Sequence, residues 1–277
     1  MMKDDTARRE APVRAARQEQ LATALAVVQE RIAVACVDSG RSEAEQPALI
    51  VVTKFHPAAD VAALAALGIQ DLGENREHEA AGKYTEVSEL LGEASERLRW
   101  HFIGQLQSNK AKSVVRYASA LHSIDRASLV TALARALPER RPESAGLLNC
   151  FIQVDLDEEL AGLSAQSAEG LAKTRGGAAP AQVPFLAEQI AQTTGLELAG
   201  LMAVAPLPEA GREPAYAATP EQAFARLAEL SARLRQEHPG AVSISAGMSA
   251  DLEAAVAHGA THLRVGSDVL GPRPAVR

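Results

Sequence analysis

The sequence predicts a single (β/α)8 barrel of the TIM type, preceded by an N-terminal helix. Three observations carry this. The chain has 277 residues and is 47% hydrophobic, enough for one large core in one domain. Eight short apolar runs alternate with stretches of helical periodicity, the pattern of repeated βα units. The first run, LIVVTK at 49–54, is continuous and β-branched, as suits a strand buried on both faces of a parallel sheet.

In chain order, Leu21, Leu25, Val28 and Ile32 recur at helical spacing within residues 18–38, so a helix precedes the first strand. Residues 1–17 are expected to form a flexible tail, and 18–277 the barrel domain. AADVAALAALG (58–68) reads as a helix ended by Gly68, followed by a short strand in IQDLGEN. Further strands are expected at 99–104, 120–125, 149–156, 196–204, 241–247 and 261–267. Thr219, Pro220 and Gln222 form a capping box with proline at the first helical position, and Ser249 is expected to cap a helix whose first turn holds Asp251 and Glu253. Residues 164–184, rich in Ala, Gly and Ser, and 205–217, rich in Pro, read as loops that follow strands on the barrel's C-terminal face.

Composition narrows the function. A formal charge of −7 gives no general attraction to nucleic acid or an anionic membrane, so the expected partner is a small molecule. Cys36 and Cys150 lie in apolar stretches without metal or redox spacing. The N-terminus is charged and lacks a signal-peptide core, and no later run reads as a bilayer span; a cytoplasmic, reduced protein is expected. His258 and His262 are four apart, but Gly259 ends the helix between them, so no metal site is expected. Lys110 and Lys112 read as charged helix surface, and Asp155, Asp157, Glu158 and Glu159 as a solvated loop.

Chemistry points first to Lys54. It closes an apolar strand, which places its ammonium at the barrel mouth in low-dielectric surroundings that lower the pKa of an amine. At the other end of the chain, Ser245, the Gly247-Met248-Ser249 turn and the Gly266-Ser267 turn offer hydroxyls and backbone N–H groups at strands seven and eight, where barrels bind phosphate. Arg264 alternates with Leu263 and Val265 along the last strand. A guanidinium only donates, so a pyridine nitrogen facing it must be an unprotonated acceptor.

The segments TKFHP (53–57), LGENREHEA (72–80), WHFIGQLQSNK (100–110), HSID (122–125), GLMAVAP (200–206) and SAGMSADLEAAVAHGATHLRVGS (245–267) resemble the pyridoxal phosphate homeostasis proteins. The resemblance implies a barrel similar to the N-terminal domain of alanine racemase, with pyridoxal 5′-phosphate as cofactor and Lys54 as its Schiff-base lysine. It further implies Arg264 at the pyridine nitrogen and Ser245, Gly266 and Ser267 at the phosphate. Asn75 and His101, at the ends of strands two and three, would contact the ring and its hydroxyl, and Met248 would line the site. No residue is assigned a catalytic role. Ala246, Ser267 and Leu270 depart from the residues common in the family, and the 157–185 region is longer than usual. The implied function is that of a carrier that holds the cofactor reversibly, limits free aldehyde and passes it to pyridoxal phosphate-dependent acceptor enzymes. The alternatives are a minimal amino-acid racemase and a cofactor-free Schiff-base aldolase. The second β-domain of racemases is not expected here, because the chain ends soon after the eighth strand.

Overall fold

The computed structural model describes the backbone of residues 2–140, 146–156, 176–205 and 219–273, with side chains from residue 14 onward. Eight parallel strands close in sequence order into a barrel: β1 (Ala48–Val52), β2 (Asp71–Glu74), β3 (Arg99–Phe102), β4 (Ala118–Ile124), β5 (Leu148–Gln153), β6 (Leu196–Met202), β7 (Ser243–Ser245) and β8 (His262–Val265). Closure is made by β8 on β1, with Ala48 opposite His262 and Ile50 opposite Arg264. Each of the eight expected strands is present, most of them shorter than the apolar run that announced it, because the run continues into the turn at its C-terminal end.

The helices are α1 (Met2–Asp38), α2 (Ala58–Ala66), α3 (Glu77–Leu91), α4 (Ala111–Val114), α5 (Ala127–Ala136), α6 (Val183–Ala191), α7 (Pro220–Glu237), α8 (Leu252–Ala257) and α9 (Ser267–Leu270). Outward-facing strand residues such as Val51, Leu72, Trp100, Leu121, Ile152, Leu201 and Leu263 pack with the apolar faces of these helices in one continuous core. A smaller cluster of Ala120, Phe151 and Met202 fills part of the barrel interior.

Three expectations change. Residues 2–17, expected as a tail, continue α1 without a break. At the near end of the described side chains, the Arg17 guanidinium forms a two-pronged pair with Asp60 of α2 (3.0 and 2.8 Å) and donates to the Leu270 carbonyl at 3.0 Å. Second, an 18-residue stretch within the Arg14–Asp38 part of α1 has a mean hydropathy of 1.4, so by length and composition alone the helix is long and apolar enough to cross a membrane, which the sequence reading did not find. Its apolar stripe of Leu21, Leu25, Val28 and Ile32 is buried on α2, α8 and α9, and Arg31 on the same helix pairs with Glu253 and Asp268. Third, the helix after β7 is capped from Asp251 rather than Ser249; the Asp251 carboxylate accepts from the Met248 N–H at 2.6 Å and folds the turn.

The α6 helix starts at Val183, so the end of the expected 164–184 loop is helical; residues 164–175 and 206–217 lie outside the described residues. At the start of α7 the capping box is formed as the sequence predicts, with Thr219 Oγ1 accepting from Gln222 N and Gln222 Oε1 accepting from Thr219 N. Replacing Thr219 with Ala leaves that first-turn N–H without its partner, and is expected to lower unfolding free energy by about 1 kcal/mol. A shifted urea midpoint at unchanged slope checks this.

Candidate cofactor-binding site

Lys54 follows β1 by two residues and stands half-buried at the C-terminal mouth of the barrel. Burial lowers its pKa, nearby Arg273 and Arg76 lower it further, and Glu74 and Glu79 oppose them. The backbone turns sharply at the next residue. Phe55 has φ of 67°, a left-handed conformation that a bulky side chain adopts only when its surroundings impose it. Here the Phe55 N–H donates to the Glu79 carboxylate, and its ring lies between the guanidinium groups of Arg76 and Arg273, 4.7 and 4.4 Å from the ring centre.

A second lysine supports this turn from behind. Lys83 on α3 is buried and donates to Glu74 Oε1 at 2.5 Å, to the Thr53 carbonyl at 2.7 Å and to Glu79 Oε1 at 3.2 Å. Thr53 Oγ1 donates to the same Glu74 oxygen at 2.6 Å. Burial pushes the Glu74 carboxyl upward, while Lys83 and Thr53 hold it down. Two lysines therefore flank the end of β1 in opposite states: Lys83 is tied into an ion pair with every donor directed, and Lys54 faces the mouth.

Arg264 lies on the strand next to Lys54's, inside the barrel and only 4% exposed. Its Nη1 donates to Ser245 Oγ at 2.7 Å and its Nη2 to the Ala203 carbonyl at 2.9 Å. Burial lowers its pKa to about 10, and Asp251 counters part of that effect. The guanidinium thus remains a cation and a pure donor at neutral pH.

Above it are the two expected glycine turns. Gly247 has φ of 90°, and a Cβ there would meet Ala255 Cβ at 2.6 Å and Leu263 Cδ2 at 2.8 Å, so only glycine lets β7 turn this tightly. At Gly266 a Cβ would stand 3.2 Å from the Val52 carbonyl oxygen, which brings the start of α9 against the end of β1. Ser267 is exposed and Met248 half-exposed beside these turns. Asn75, just past β2, holds its Oδ1 buried with no hydrogen-bond partner.

Two expected site residues sit elsewhere than the mouth. Ser245 Oγ, expected at a phosphate, lies inside the barrel between Arg264 and His122, whose Nδ1 is 2.9 Å away. His101 is buried lower down, with Nδ1 2.9 Å from His122 Nε2 and Nε2 2.9 Å from Asp71 Oδ1. Both side chains point into the barrel, and Ser245, although it ends β7, lies in register with His262 at the start of β8, so position near a strand end did not bring them to the rim. The sequence reading missed His122, Asp71, Glu74 and Lys83 as members of the polar framework. For His122, Asp71 and Glu74 the signal was present in HSID and DLGEN, where ionisable side chains interrupt apolar strands, whereas Lys83 lies on α3.

His262 is also interior, its ring 5.3 Å from Phe151, and burial lowers its pKa to about 4; Gly259, with φ of 84°, separates it from His258. Lys110 pairs with Glu77 and Lys112 with Glu139, as charged surface residues do. Cys36 and Cys150 are buried thiols, and burial pushes Cys150 up to about 12.

Comparison with known proteins identifies the family and the fold. The family described as alanine racemase, N-terminal domain, matches residues 37–274. A pyridoxal phosphate homeostasis protein of Mycobacterium tuberculosis is 41% identical over 266 residues, covering 93% of this chain and 94% of that one. The chain belongs to the pyridoxal phosphate homeostasis protein family. Another member, from Escherichia coli, is 33% identical over 90% of this chain and 95% of its own. Among solved structures, PipY of Synechococcus elongatus with pyridoxal phosphate bound is 30% identical, with a TM-score of 0.66 and coverage of 91% of this chain and all of that one. The alanine racemase of Corynebacterium glutamicum shares the fold at 14% identity and a TM-score of 0.58, this chain spanning 62% of it.

Two predictions follow from the buried charges. Lys83→Met leaves Glu74 without its counter-ion and is expected to cost about 3 kcal/mol or more of stability, most of it recovered in the Lys83→Met/Glu74→Leu double variant; denaturant titration of the three proteins checks this. At Asp71, burial favours the neutral acid, yet hydrogen bonds from His101 and Arg99 hold the carboxyl far below the usual carboxylate range. Its contribution to stability is therefore present above the ordinary carboxylate pKa of about 4 and is lost as pH falls below it. Asp71→Asn is expected to flatten that part of the acid limb of a stability-versus-pH curve.

Proposed function

We propose that this chain binds pyridoxal 5′-phosphate through a reversible covalent bond to Lys54 and serves its homeostasis in the cytoplasm, as a carrier for cofactor-dependent acceptor enzymes. The observation that carries this is the pairing of a mouth lysine of lowered pKa with a buried, cationic arginine on the adjoining strand.

The residues fit the cofactor. The buried, unpartnered Asn75 Oδ1 is an acceptor waiting for a donor, which suits the ring hydroxyl. Gly247 and the Gly266-Ser267 turn stand at the ends of the neighbouring strands β7 and β8 with no side chain on the glycines, which suits a phosphate held by backbone N–H groups there and by the Ser267 hydroxyl, the Met248 N–H being taken by Asp251. Arg264 offers only donors, so it suits an unprotonated pyridine nitrogen. When bound, the cofactor supplies an aldehyde carbon that condenses with an amine and releases water. Lys54 contributes that amine in reactive, uncharged form more readily than a solvated lysine does.

An arginine at the ring nitrogen keeps that nitrogen unprotonated and weakens the ring as an electron sink, which favours holding over transforming. Holding also fits the names of the relatives, which are homeostasis proteins. Lys83, hydrogen-bonded on all three donors, is not available as a competing amine.

Incubation with pyridoxal phosphate followed by removal of free cofactor is expected to leave a yellow protein, and borohydride to fix the cofactor on the Lys54 peptide. Lys54→Ala is expected to lose the colour and the fixation with an unchanged circular dichroism spectrum. A variant that still fixes the cofactor would move the anchor to another lysine.

A further inference from the structure

The barrel interior carries a continuous polar chain where TIM barrels ordinarily stack branched apolar residues. From Arg264 it runs through Ser245 (2.7 Å), His122 (2.9 Å) and His101 (2.9 Å) to Asp71 (2.9 Å). Asp71 is the first residue of β2, at the floor of the barrel, and there its two carboxylate oxygens meet Arg99 Nε and Nη2, each at 2.6 Å. Asp71 and Arg99 open on a cleft of about 260 Å³ that Gln29, Gln46 and Gln70 also line. The chain thus joins the residue assigned to the pyridine nitrogen to solvent on the opposite face.

Hydrogen-bond chemistry gives the chain one direction. Arg264 can only donate to Ser245 Oγ, and Asp71, ionised, can only accept. His101 therefore donates from Nε2 to Asp71, leaving its Nδ1 to accept from His122 Nε2. His122 Nδ1 in turn accepts the Ser245 hydroxyl proton. Every donor points toward Asp71, and no group is left unsatisfied.

The opposite polarity requires a second proton on His101. The charges and ionisable groups that face it are Asp71 on β2, Arg99 on its own strand, His122 on β4, and His262 and Arg264 on β8. The single negative charge among them is already paired two-pronged with Arg99, and Arg264 is a further, buried cation, so a second proton on His101 would set a third positive charge around one carboxylate. His122 is fully buried, stacked on Phe151 at 4.1 Å and 13°, and burial, with the Arg264 cation adding to it, holds its pKa well below the ordinary value, so it is neutral.

We infer that Ser245, His122, His101 and Asp71 are positioning residues: a one-directional relay that fixes the Arg264 guanidinium beneath the cofactor ring and links its charge to Asp71 at the barrel floor. The inference rests on the assignment of Arg264 to the pyridine nitrogen. It gives Ser245 a role through Arg264, because its hydroxyl proton is committed to His122.

Long-range proton–nitrogen NMR on the cofactor-free protein tests the direction. Both His101 and His122 are expected as Nε2–H tautomers near neutral pH; a proton on Nδ1 of either one would overturn the relay. The coupling is tested with cofactor labelled with ¹⁵N in the ring. Asp71→Asn, which breaks the chain at the floor, and Ser245→Ala, which breaks it beside the arginine with little change in volume, are each expected to move the ring-nitrogen signal toward that of a pyridine without a hydrogen bond. Each is expected to weaken cofactor affinity about three- to tenfold, with Arg264→Gln as the direct control. If Arg264→Gln moves the signal and neither relay variant does, the relay is structural only and the inference fails. If Arg264→Gln leaves the signal unchanged, the arginine is not at the ring nitrogen and the relay has no cofactor to act on.

Discussion

A guanidinium inside a closed parallel barrel has to be satisfied by the barrel itself. Arg264 enters the interior from β8, and the groups that receive it are a hydroxyl on β7 and a carbonyl just past β6. That requirement organises much of what surrounds it. Ser245 must point inward, His122 must offer an acceptor to Ser245, and the chain has to terminate on a charge, which Asp71 supplies. A buried polar network of this kind is stabilising only when every member is paired; a half-satisfied one is worse than an apolar core. The interior is accordingly closed around it by Phe151, Met202 and Ala120.

The mouth is built on the same principle with the opposite outcome. Between Thr53 and Lys83 the chain brings together two lysines, Glu74, Glu79 and a strained phenylalanine, and their hydrogen bonds divide the lysines into one tied to carboxylates and one left at the rim. Lys83 neutralises Glu74 and holds the Thr53 carbonyl, which fixes the end of β1. Phe55, turned into the left-handed region and clamped between Arg76 and Arg273, directs the backbone away and leaves Lys54 at the rim. The same two arginines keep a positive field at the amine, which favours its uncharged form and attracts an anionic ligand to a chain of net negative charge.

Much of this was legible in the sequence. Hydrophobic period alone marks the eight strands, and the glycines at 68, 247 and 266 mark their turns, because these features follow from local backbone chemistry. Lys54 and Arg264 were legible because each breaks an apolar alternation. The depth of His101 and Ser245 was not, since depth in a barrel depends on strand tilt and on register between strands that are distant in sequence. The pairing of Asp71 with His101 and of Lys83 with Glu74 was hidden for the same reason. The unbroken course of α1 to Met2 was missed because the charged composition of residues 1–17 resembles a solvated tail, whereas Arg17 has a partner on α2.

The assignment of Lys54 and Arg264 to the two ends of one cofactor ring is the claim on which the functional account stands. A crystal structure of the cofactor-loaded protein tests it most directly. Density is expected to run unbroken from Lys54 Nζ into the cofactor, with an Arg264 nitrogen within hydrogen-bonding distance of the ring nitrogen. Continuity into Lys83, or a ring nitrogen facing a carboxylate, would contradict it.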